Sequence, residues 1–358
     1  MAMQETTGFC YEFAADMVSR DGSIPTISPA LFKRLHPLRN HWFGPLLWQS
    51  GIHDVLGRRR HDAAIFLGDA AYLSTWFWAT YCRIRGIRVL FWTIGWHRPE
   101  RGIRRWLRLC FYNLADELLL YSDAGKGLGA LAGYPASKMR VIGNSYGSSL
   151  GIAAKLSDQR VNEIERSLPP KGRQVVAAVV RIDAQRRFDL LLEAASRLNR
   201  EGIDVSVLLV GEGGEVAALR QLASTLGVDL HILCPIYSNE HLRVIYDRIL
   251  LTVVPAKAGL TVIQSMSFGR PVITTDRLEN QGPEVKAISP GVTGDLYSDG
   301  SVEDLTKTIR KWLIKTSEEQ NTIASECRNE VEVNWSATGH ASAIADAVIS
   351  GGGGYPEP

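Results

Sequence analysis

The chain has 358 residues, 45% of them hydrophobic, and a formal net charge of +2. This length exceeds one ordinary hydrophobic core, so we expect two domains. There is no apolar run of about eighteen residues and no basic-then-apolar start, so the sequence predicts neither a transmembrane helix nor a secretory signal. The five cysteines are scattered without metal-ligand spacing, which favours a reducing compartment and argues against a disulfide framework and a zinc site.

The charge is distributed unevenly. Residues 1–150 contain 18 Lys and Arg against 11 Asp and Glu, whereas the remaining residues contain 22 against 27. A basic half beside an acidic half indicates that the first half meets an anionic partner or surface.

The first half alternates apolar runs with amphipathic stretches from residue 63 onward. We predict strands at 63–67, 89–94, 118–121 and 141–142, and helices at 72–85 and 101–115. The first sixty residues show no clear strand-turn-helix unit. We assign residues 1–150 to an N-terminal Rossmann-like domain.

The second half continues the alternation more regularly. We predict strands at 175–180, 205–210, 231–233, 250–254 and 271–275, and helices at 188–199, 215–226, 240–249 and 260–268. Ser301 is a predicted helix N-cap with Asp304 three residues later. We expect a connector at 151–172, a C-terminal domain at 173–335, a helix at 336–350 and a disordered tail at 351–358.

Strands that are continuous apolar runs, each followed by a helix, are typical of a parallel sheet covered on both faces. The fold class is therefore α/β, with two doubly wound Rossmann-like domains facing each other across a cleft. Ligands of such sheets bind beyond the carboxyl ends of the strands. Residues that directly follow strands are accordingly the candidates for the site.

Arg181 and Arg186 lie in the turn after the strand 175–180. Arginine stays charged and offers a planar set of donors, as a departing diphosphate requires. The alternative is an ordinary solvated loop before a helix.

The segment Gly259-Leu260-Thr261 follows the strand 250–254. Its glycine lets the backbone approach a phosphate, and the amides at the start of a helix are available as donors. Gln264, one turn later, can reach a ribose diol. The alternative is a plain helix start. Gly211 and Gly213 follow another strand and are more typical of a turn.

Two features of the first half remain open. His97 follows the strand 89–94 and is a candidate for catalysis or sugar binding, although a single histidine is more often structural. A basic amphipathic stretch includes Arg101, Arg104, Arg105, Trp106 and Arg108. This stretch suits an anionic membrane surface, or else packs with a solvated basic side.

Taken in order, these segments resemble the group 1 glycosyltransferases, called family 4, of the retaining type with two Rossmann domains. Arg181 matches the family's arginine, Arg186 stands at its lysine, and Phe188-Asp189 follows as in the family. Val210-Gly211-Glu212-Gly213, the run from Gly259 to Ile273, Pro283-Glu284 and Gly291-Val292-Thr293-Gly294 fit further family motifs. The resemblance covers about residues 62–345.

The sequence departs from the family at three positions. Ala256 and Gln264 stand where the family has glutamates that contact the donor sugar and the ribose. The family's histidine near Ile94 is absent, and His97 is the candidate to replace it.

The resemblance implies transfer of a sugar from a nucleoside-diphosphate donor to a glycan or lipid-linked acceptor, with retention and without a metal ion, in surface polysaccharide biosynthesis. It implies donor contacts from Gly211, Gly213, Gly259, Leu260, Thr261, Gln264 and Glu284, and catalytic roles for Arg181, Arg186 and His97. The basic N-terminal domain would take the acceptor. We expect no cofactor and no nucleic-acid partner, and a cytoplasmic location with peripheral contact at the inner face of the membrane. The alternatives are a non-catalytic nucleotide-sugar-binding or scaffold protein on this fold, favoured by the loss of both glutamates, and a sugar-nucleotide epimerase.

Overall fold

A computed structural model describes residues 3, 8–18, 32, 34–57, 61–146 and 158–350. The chain divides into two compact units, one formed by Met1–Asn144 with Ala337–Pro358 and the other by Ser145–Ser336. The predicted tail at 351–358, part of the predicted connector and the basic run Arg58-Arg59-Arg60 lie outside the described residues. No helix within the described ranges is long and apolar enough to cross a membrane.

In the first unit the strands are β1 (Phe13–Ala15), β2 (Leu35–Pro37), β3 (Arg39–Phe43), β4 (Leu46–Ser50), β5 (Ala63–Leu67), β6 (Arg88–Thr93), β7 (Glu117–Leu120) and β8 (Met139–Val141). The helices before residue 145 are α1 (Ile52–Leu56), α2 (Leu73–Ile84), α3 (Gly102–Tyr112) and α4 (Asp123–Leu131). Strands β5 to β8 form a parallel sheet in sequential order, whereas β3 and β4 form an antiparallel hairpin.

In the second unit the strands are β9 (Gln174–Val179), β10 (Val205–Val210), β11 (Asp229–Leu233), β12 (Leu251–Val253), β13 (Val272–Thr275) and β14 (Gly294–Tyr297). The helices are α5 (Asp158–Ser167), α6 (Phe188–Arg200), α7 (Val216–Leu226), α8 (Asn239–Tyr246), α9 (Thr261–Ser267), α10 (Val302–Leu313) and α11 (Ser317–Asn334). The final helix, α12 (Ala337–Ile349), groups with the first unit.

Successive side chains of a buried strand point to opposite faces of the sheet, so each face packs against a different set of helices. In the first unit Phe91 and Leu118 pack with residues of α2 and α3, whereas Leu90 and Leu119 pack with Ile344 of α12. The last helix therefore covers the face that the crossover helices leave open.

The sheet of the second unit has the order β11-β10-β9-β12-β13-β14, all parallel. The chain moves outward from β9 in one direction and then from β12 in the other, which is the order of a doubly wound dinucleotide-binding fold. Val176 and Ala178 face one core, and Val175 and Ala177 face the other. The predicted α/β class is confirmed by both parallel sheets.

Candidate functional site

The strand order of the second unit locates its candidate site. Strands β9 and β12 are neighbours in the sheet, yet the chain leaves them toward opposite edges. Such a switch point opens a crevice between the loops that follow the two strands, and ligands of open α/β sheets bind there. These loops are residues 180–187 and 254–260, which carry Arg181, Arg186 and Gly259.

Arg181 and Arg186 are brought together in the first of these loops. The pKa of Arg186 lies below its usual value mainly because of burial; Asp183 opposes that change, and the positive charge of Arg181 adds to it. The closest approach to a carboxylate is 3.9 Å, from Nε of Arg186 to Asp183. Arg181 is exposed and forms no ion pair within the described ranges. The pair therefore presents positive charge that nearby carboxylates leave largely uncompensated.

Arg186 is held rigidly against the second loop. Its Nη1 donates to the carbonyl oxygen of Lys257, and its own carbonyl oxygen accepts a hydrogen bond of 3.2 Å from the amide of Ala256. Its Nε is buried and donates no hydrogen bond within the described part of the chain. The guanidinium is thus held in one place, and its Nη2 donates no hydrogen bond to the described residues, so it remains available for an additional acceptor.

Gln281 fixes the other side of the second loop. Its side-chain oxygen accepts a 3.0 Å hydrogen bond from the amide of Ala258, and its amide group donates to the carbonyl oxygen of Ala256 at 2.6 Å and to Thr274 at 2.9 Å. Gln281 was not predicted from the sequence, since it follows β13 by six residues and has no motif spacing. The loop is thus fastened from two sides.

The predicted phosphate loop ends at Gly259. This glycine has a φ of 60°, a backbone conformation that favours glycine. The amides of Leu260 and Thr261 donate no hydrogen bond to the described residues, so they stay available. The hydroxyl of Thr261 donates instead to the carbonyl oxygen of Val179 at 3.0 Å, which ties α9 to the end of β9.

Gln264 is engaged by two tyrosines. Its Nε2 donates to the hydroxyl of Tyr146 at 3.1 Å, and its Oε1 accepts from the hydroxyl of Tyr246 at 3.3 Å. The Tyr146 hydroxyl donates in turn to Asn239 at 2.9 Å. Burial raises the pKa of both tyrosines, so they remain neutral. One amide hydrogen and one lone pair of Gln264 remain for a ligand.

Close backbone packing explains why Gly211 and Gly213 are glycines. A Cβ on Gly211 would overlap the carbonyl oxygen of Val180, and a Cβ on Gly213 would overlap that of Ile182. The two loops are hydrogen-bonded, since the amide of Ile182 donates to Glu212 at 2.8 Å. These glycines therefore let the loop after β10 support the loop that carries Arg181.

Glu284 is placed inside the unit. It lies in the short helical turn Pro283–Ala287, and only 3% of the residue is exposed. A Cβ on Gly282 would overlap its carboxylate. Direct contact with a ligand would require this carboxylate to emerge, so its predicted donor contact has less geometric support than that of Arg186.

His97 lies beyond the carboxyl end of β6 in the first unit. Gly95, with a φ of 77°, turns the chain, Trp96 is buried, and the His97 side chain is exposed. Its ring forms no hydrogen bond with the part of the chain that the structure describes. The histidine is therefore accessible, as its predicted role requires.

The predicted basic surface on α3 divides into two groups. Arg108 binds both oxygens of Glu100 at 2.7 Å and donates to the carbonyl oxygen of Gly95 at 3.0 Å. Burial would lower the pKa of Arg108, but hydrogen bonds to Glu100 and Tyr112 raise it overall. Arg105 donates to the carbonyl oxygen of Ala132 at 2.7 Å. As a correction to the predicted surface, these two arginines hold α3 within its own unit.

The first residues of α3, with Arg101 before them, do form an outward surface. Ile103 is 79% exposed and Trp106 is 62% exposed. Arg101 and Arg104 are exposed beside them without partners among the described side chains. We call Arg101, Ile103, Arg104, Trp106 and Leu107 the α3 tip.

The second unit contains a segment that matches a known protein family. Residues 159–329 match the family described as glycosyl transferases group 1. The matched segment is just under half of the chain. It contains the switch point, both arginines and the loop that ends at Gly259.

Two curated relatives are similar to part of the chain. The lipopolysaccharide 1,6-galactosyltransferase of Salmonella typhimurium is 24% identical over 155 residues, which are 40% of this chain and 42% of that protein. The glycogen synthase of Koribacter versatilis is 28% identical over 226 residues, 56% of this chain and 43% of that protein. The chain thus spans less than half the length of either relative.

Solved structures extend the similarity to both units. Anabaena HepE in complex with UDP has a TM-score of 0.65 and 20% identity, covering 81% of this chain and 79% of that one. A glycosyltransferase from Rickettsia africae has a TM-score of 0.68 and 17% identity, covering 84% and 80%. At these identities the likeness shows the shared fold.

Proposed function

We propose that the protein transfers a sugar from a nucleoside-diphosphate donor to a glycan or lipid-linked acceptor, with retention of anomeric configuration and without a metal ion, in surface polysaccharide biosynthesis. The observation that carries this proposal is the Arg181–Arg186 pair at the switch point, whose charge is largely uncompensated. The match of residues 159–329 to the group 1 family supports this proposal. It is also supported by a relative named a galactosyltransferase and by a similar structure solved in complex with UDP.

In this proposal the arginines take the role that a metal ion would have. Cleavage of the bond between sugar and diphosphate leaves negative charge on the distal phosphate. Arg186, fixed by Lys257, stabilises that charge with its Nη2 group, and Arg181 adds a second guanidinium. Because Arg186 is positioned beforehand, little reorganisation of its guanidinium is needed as the charge develops.

The donor's other contacts follow from the second loop. Gly259 allows close backbone approach, and the free amides of Leu260 and Thr261 bind phosphate oxygens. Gln264 offers its remaining N–H and lone pair to the ribose diol, with its orientation set by the two tyrosines. Gly211 and Gly213 contribute by supporting the loop of Arg181.

The first unit takes the acceptor in this proposal. His97 is accessible at the carboxyl edge of its sheet and serves as an acceptor-side catalytic group. The α3 tip presents Ile103 and Trp106 together with Arg101 and Arg104, which suits peripheral contact with an anionic bilayer at its inner face. A lipid-linked acceptor would be presented from the same surface.

A second candidate is a nucleotide-sugar-binding protein without transfer activity. Ala256 favours it, because a methyl group offers the donor sugar neither a hydrogen bond nor a proton at a position where related enzymes have a glutamate. Retention of the Arg181–Arg186 pair, with Arg186 anchored by Lys257, favours transfer.

Thermal unfolding with a panel of UDP, GDP, ADP and their sugars tests the proposed function, since a ligand that binds the folded state raises the melting temperature. We expect one nucleotide series to stabilise the protein and its nucleoside to have little effect. The donor found is then incubated with membrane glycolipid extract. Transfer of labelled sugar supports the enzyme, binding without transfer or hydrolysis supports the second candidate, and no stabilisation by any nucleotide contradicts both.

A further inference from the structure

A cavity of about 390 Å³ adjoins the arginine pair in the second unit. Its lining includes Arg187, Ala256, Lys257, Arg277 and Asp299. We call it the Lys257 cavity. Three of its lining residues are cationic and one is anionic, so an anionic ligand group would be favoured there.

The balance of charge within the cavity depends on Lys257. Arg187 is paired with Asp189 at 2.8 Å, and Arg277 lies 3.5 Å from Asp299. The exposed Lys257 ammonium forms neither an ion pair nor a hydrogen bond with the residues that the structure describes. Lys257 is thus the uncompensated cation of the cavity.

The backbone at the cavity wall is strained. Arg187 has a φ of 55° and is the one non-glycine residue of the described chain in the left-handed region. A side chain disfavours this conformation, and strain of this kind concentrates at ligand sites. Arg187 forms the turn between Arg186, which contacts Lys257, and the start of α6. This turn places Arg187 in the lining of the cavity.

The cavity also shares its wall with the diphosphate site. Arg186 donates to the carbonyl oxygen of Lys257, while the side chains of Ala256 and Lys257 line the cavity. Gln264, the proposed ribose contact, is not among the lining residues. In a nucleotide sugar the sugar is bonded to the phosphate distal to the nucleoside. The Lys257 cavity therefore lies where the donor sugar would extend.

We propose that the Lys257 cavity binds a carboxylate carried by the donor sugar, so that the transferred sugar is a uronic acid. This proposal rests on the proposed function. The ammonium of Lys257 pairs with the carboxylate, and the guanidinium groups of Arg187 and Arg277 add to the favourable field. Ala256 contributes a methyl group, so no carboxylate at that position repels the ligand.

The test compares two sugars on one nucleotide. Once the thermal panel has identified the nucleotide, isothermal titration measures the affinity of its neutral hexose and of the matching uronic acid, for example UDP-glucose and UDP-glucuronic acid. We expect the parent to bind the uronic acid about tenfold more tightly, as for one charge-assisted hydrogen bond. Lys257→Gln should abolish the preference while leaving affinity for the nucleoside diphosphate unchanged. Lys307→Gln, an exposed lysine on α10 without an ion pair, should keep it.

The other outcomes overturn the proposal in distinguishable ways. Equal affinity for the two sugars, or a preference that survives Lys257→Gln, would reject the carboxylate contact but leave the proposed function intact. Competition by methyl glucuronide alone would assign the carboxylate to an acceptor, and competition by inorganic phosphate alone would assign the cavity to phosphate. Failure to bind any nucleotide sugar would reject this proposal together with the proposed function.

Discussion

Arginine is used differently in the two units. Arg186 is partly buried, bonded to backbone oxygens and fixed beside Arg181, whereas Arg101 and Arg104 are exposed among apolar side chains that also face solvent. A fixed and partly dehydrated guanidinium recognises one anion at one place. A flexible, hydrated one contributes to a diffuse field that favours a surface of many anions. The number of arginines in a segment therefore says less about its role than their anchoring does.

Replacing Arg181 or Arg186 should have the largest effect on turnover. Arg181→Ala and Arg186→Ala should each lower turnover by ~10²–10³-fold, as for loss of one positioned donor to developing charge. Circular dichroism should remain unchanged. Arg220→Ala, an exposed arginine on α7, is the control and should retain activity. Normal turnover in both site variants would show that the comparison between fixed and diffuse arginines has no catalytic meaning.

Arg108 and Arg104 lie on the same helix but differ in anchoring, since Arg108 is bonded to Glu100 and Arg104 is exposed. Replacing Arg108 with glutamine removes the two-point contact with Glu100 and should lower the free energy of unfolding by ~1.5–3 kcal/mol. Arg104→Gln on the same helix should change it by less than about 0.5 kcal/mol, because Arg104 is exposed and unpaired. Urea unfolding of both variants measures the difference. Equal stabilities would mean that Arg108 belongs with the α3 tip after all.

The α3 tip should bind vesicles that contain anionic lipid. Each arginine near such a surface contributes about 1 kcal/mol, so Arg101→Gln with Arg104→Gln should weaken co-sedimentation roughly thirtyfold. Raised salt should release the parent protein, since screening acts within a Debye length of ~8 Å at physiological ionic strength. The charge-matched pair Arg197→Gln with Arg220→Gln should bind as the parent does. Vesicle binding that is unchanged by salt and by the tip substitutions would show that the α3 tip is only a solvated helix end.

The smallest effect is expected at Gln264. Gln264→Ala should weaken binding of the nucleoside diphosphate by ~0.5–1.5 kcal/mol, the net value of a neutral hydrogen bond. It should affect KM more than kcat. The same substitution should leave binding of a 2′,3′-dideoxynucleotide unchanged, because that ligand has no diol. An equal loss with both ligands would indicate that the tyrosines and Gln264 serve only to pack α9.

Much of the second unit could be predicted from the sequence because its signals are local. Strand β10 has the predicted bounds, and the amide of Asp304 donates to the side chain of Ser301 at 3.2 Å, which confirms the predicted cap. The long helix α11 was missed, although Thr316 and Glu319 form a capping box that the sequence contains.

Elements that depend on distant contacts were not predictable in the same way. Helix α4 contains Gly125, Gly127 and Gly129, a composition that disfavours helix. A Cβ on Gly129 would overlap Trp96, and one on Gly125 would overlap the carbonyl oxygen of Ile94. Close packing against the loop after β6 therefore overrides propensity here. The docking of α12 onto the first unit likewise depends on contacts across some two hundred residues of sequence.

For the candidate site, spacing after strands identified the arginine pair and the loop that ends at Gly259. It could not reveal that the tyrosines bind Gln264, that Arg105 and Arg108 are used within their own unit, or that Lys257 lines a cavity. Each of these depends on side-chain partners that are distant in sequence or on local exposure. The sequence therefore identified where charge is placed but not which charges are already neutralised.

The central claim is that Arg181 and Arg186 bind the diphosphate of a nucleotide-sugar donor. Isothermal titration of the nucleoside diphosphate, the monophosphate and the nucleoside into the parent and into the Arg181→Ala, Arg186→Ala double variant tests it most directly. We predict that the parent binds the diphosphate at least about tenfold more tightly than the monophosphate, and that the double variant loses this difference while still binding the nucleoside as weakly as the parent does. Equal affinity of parent and double variant for the diphosphate would contradict the account.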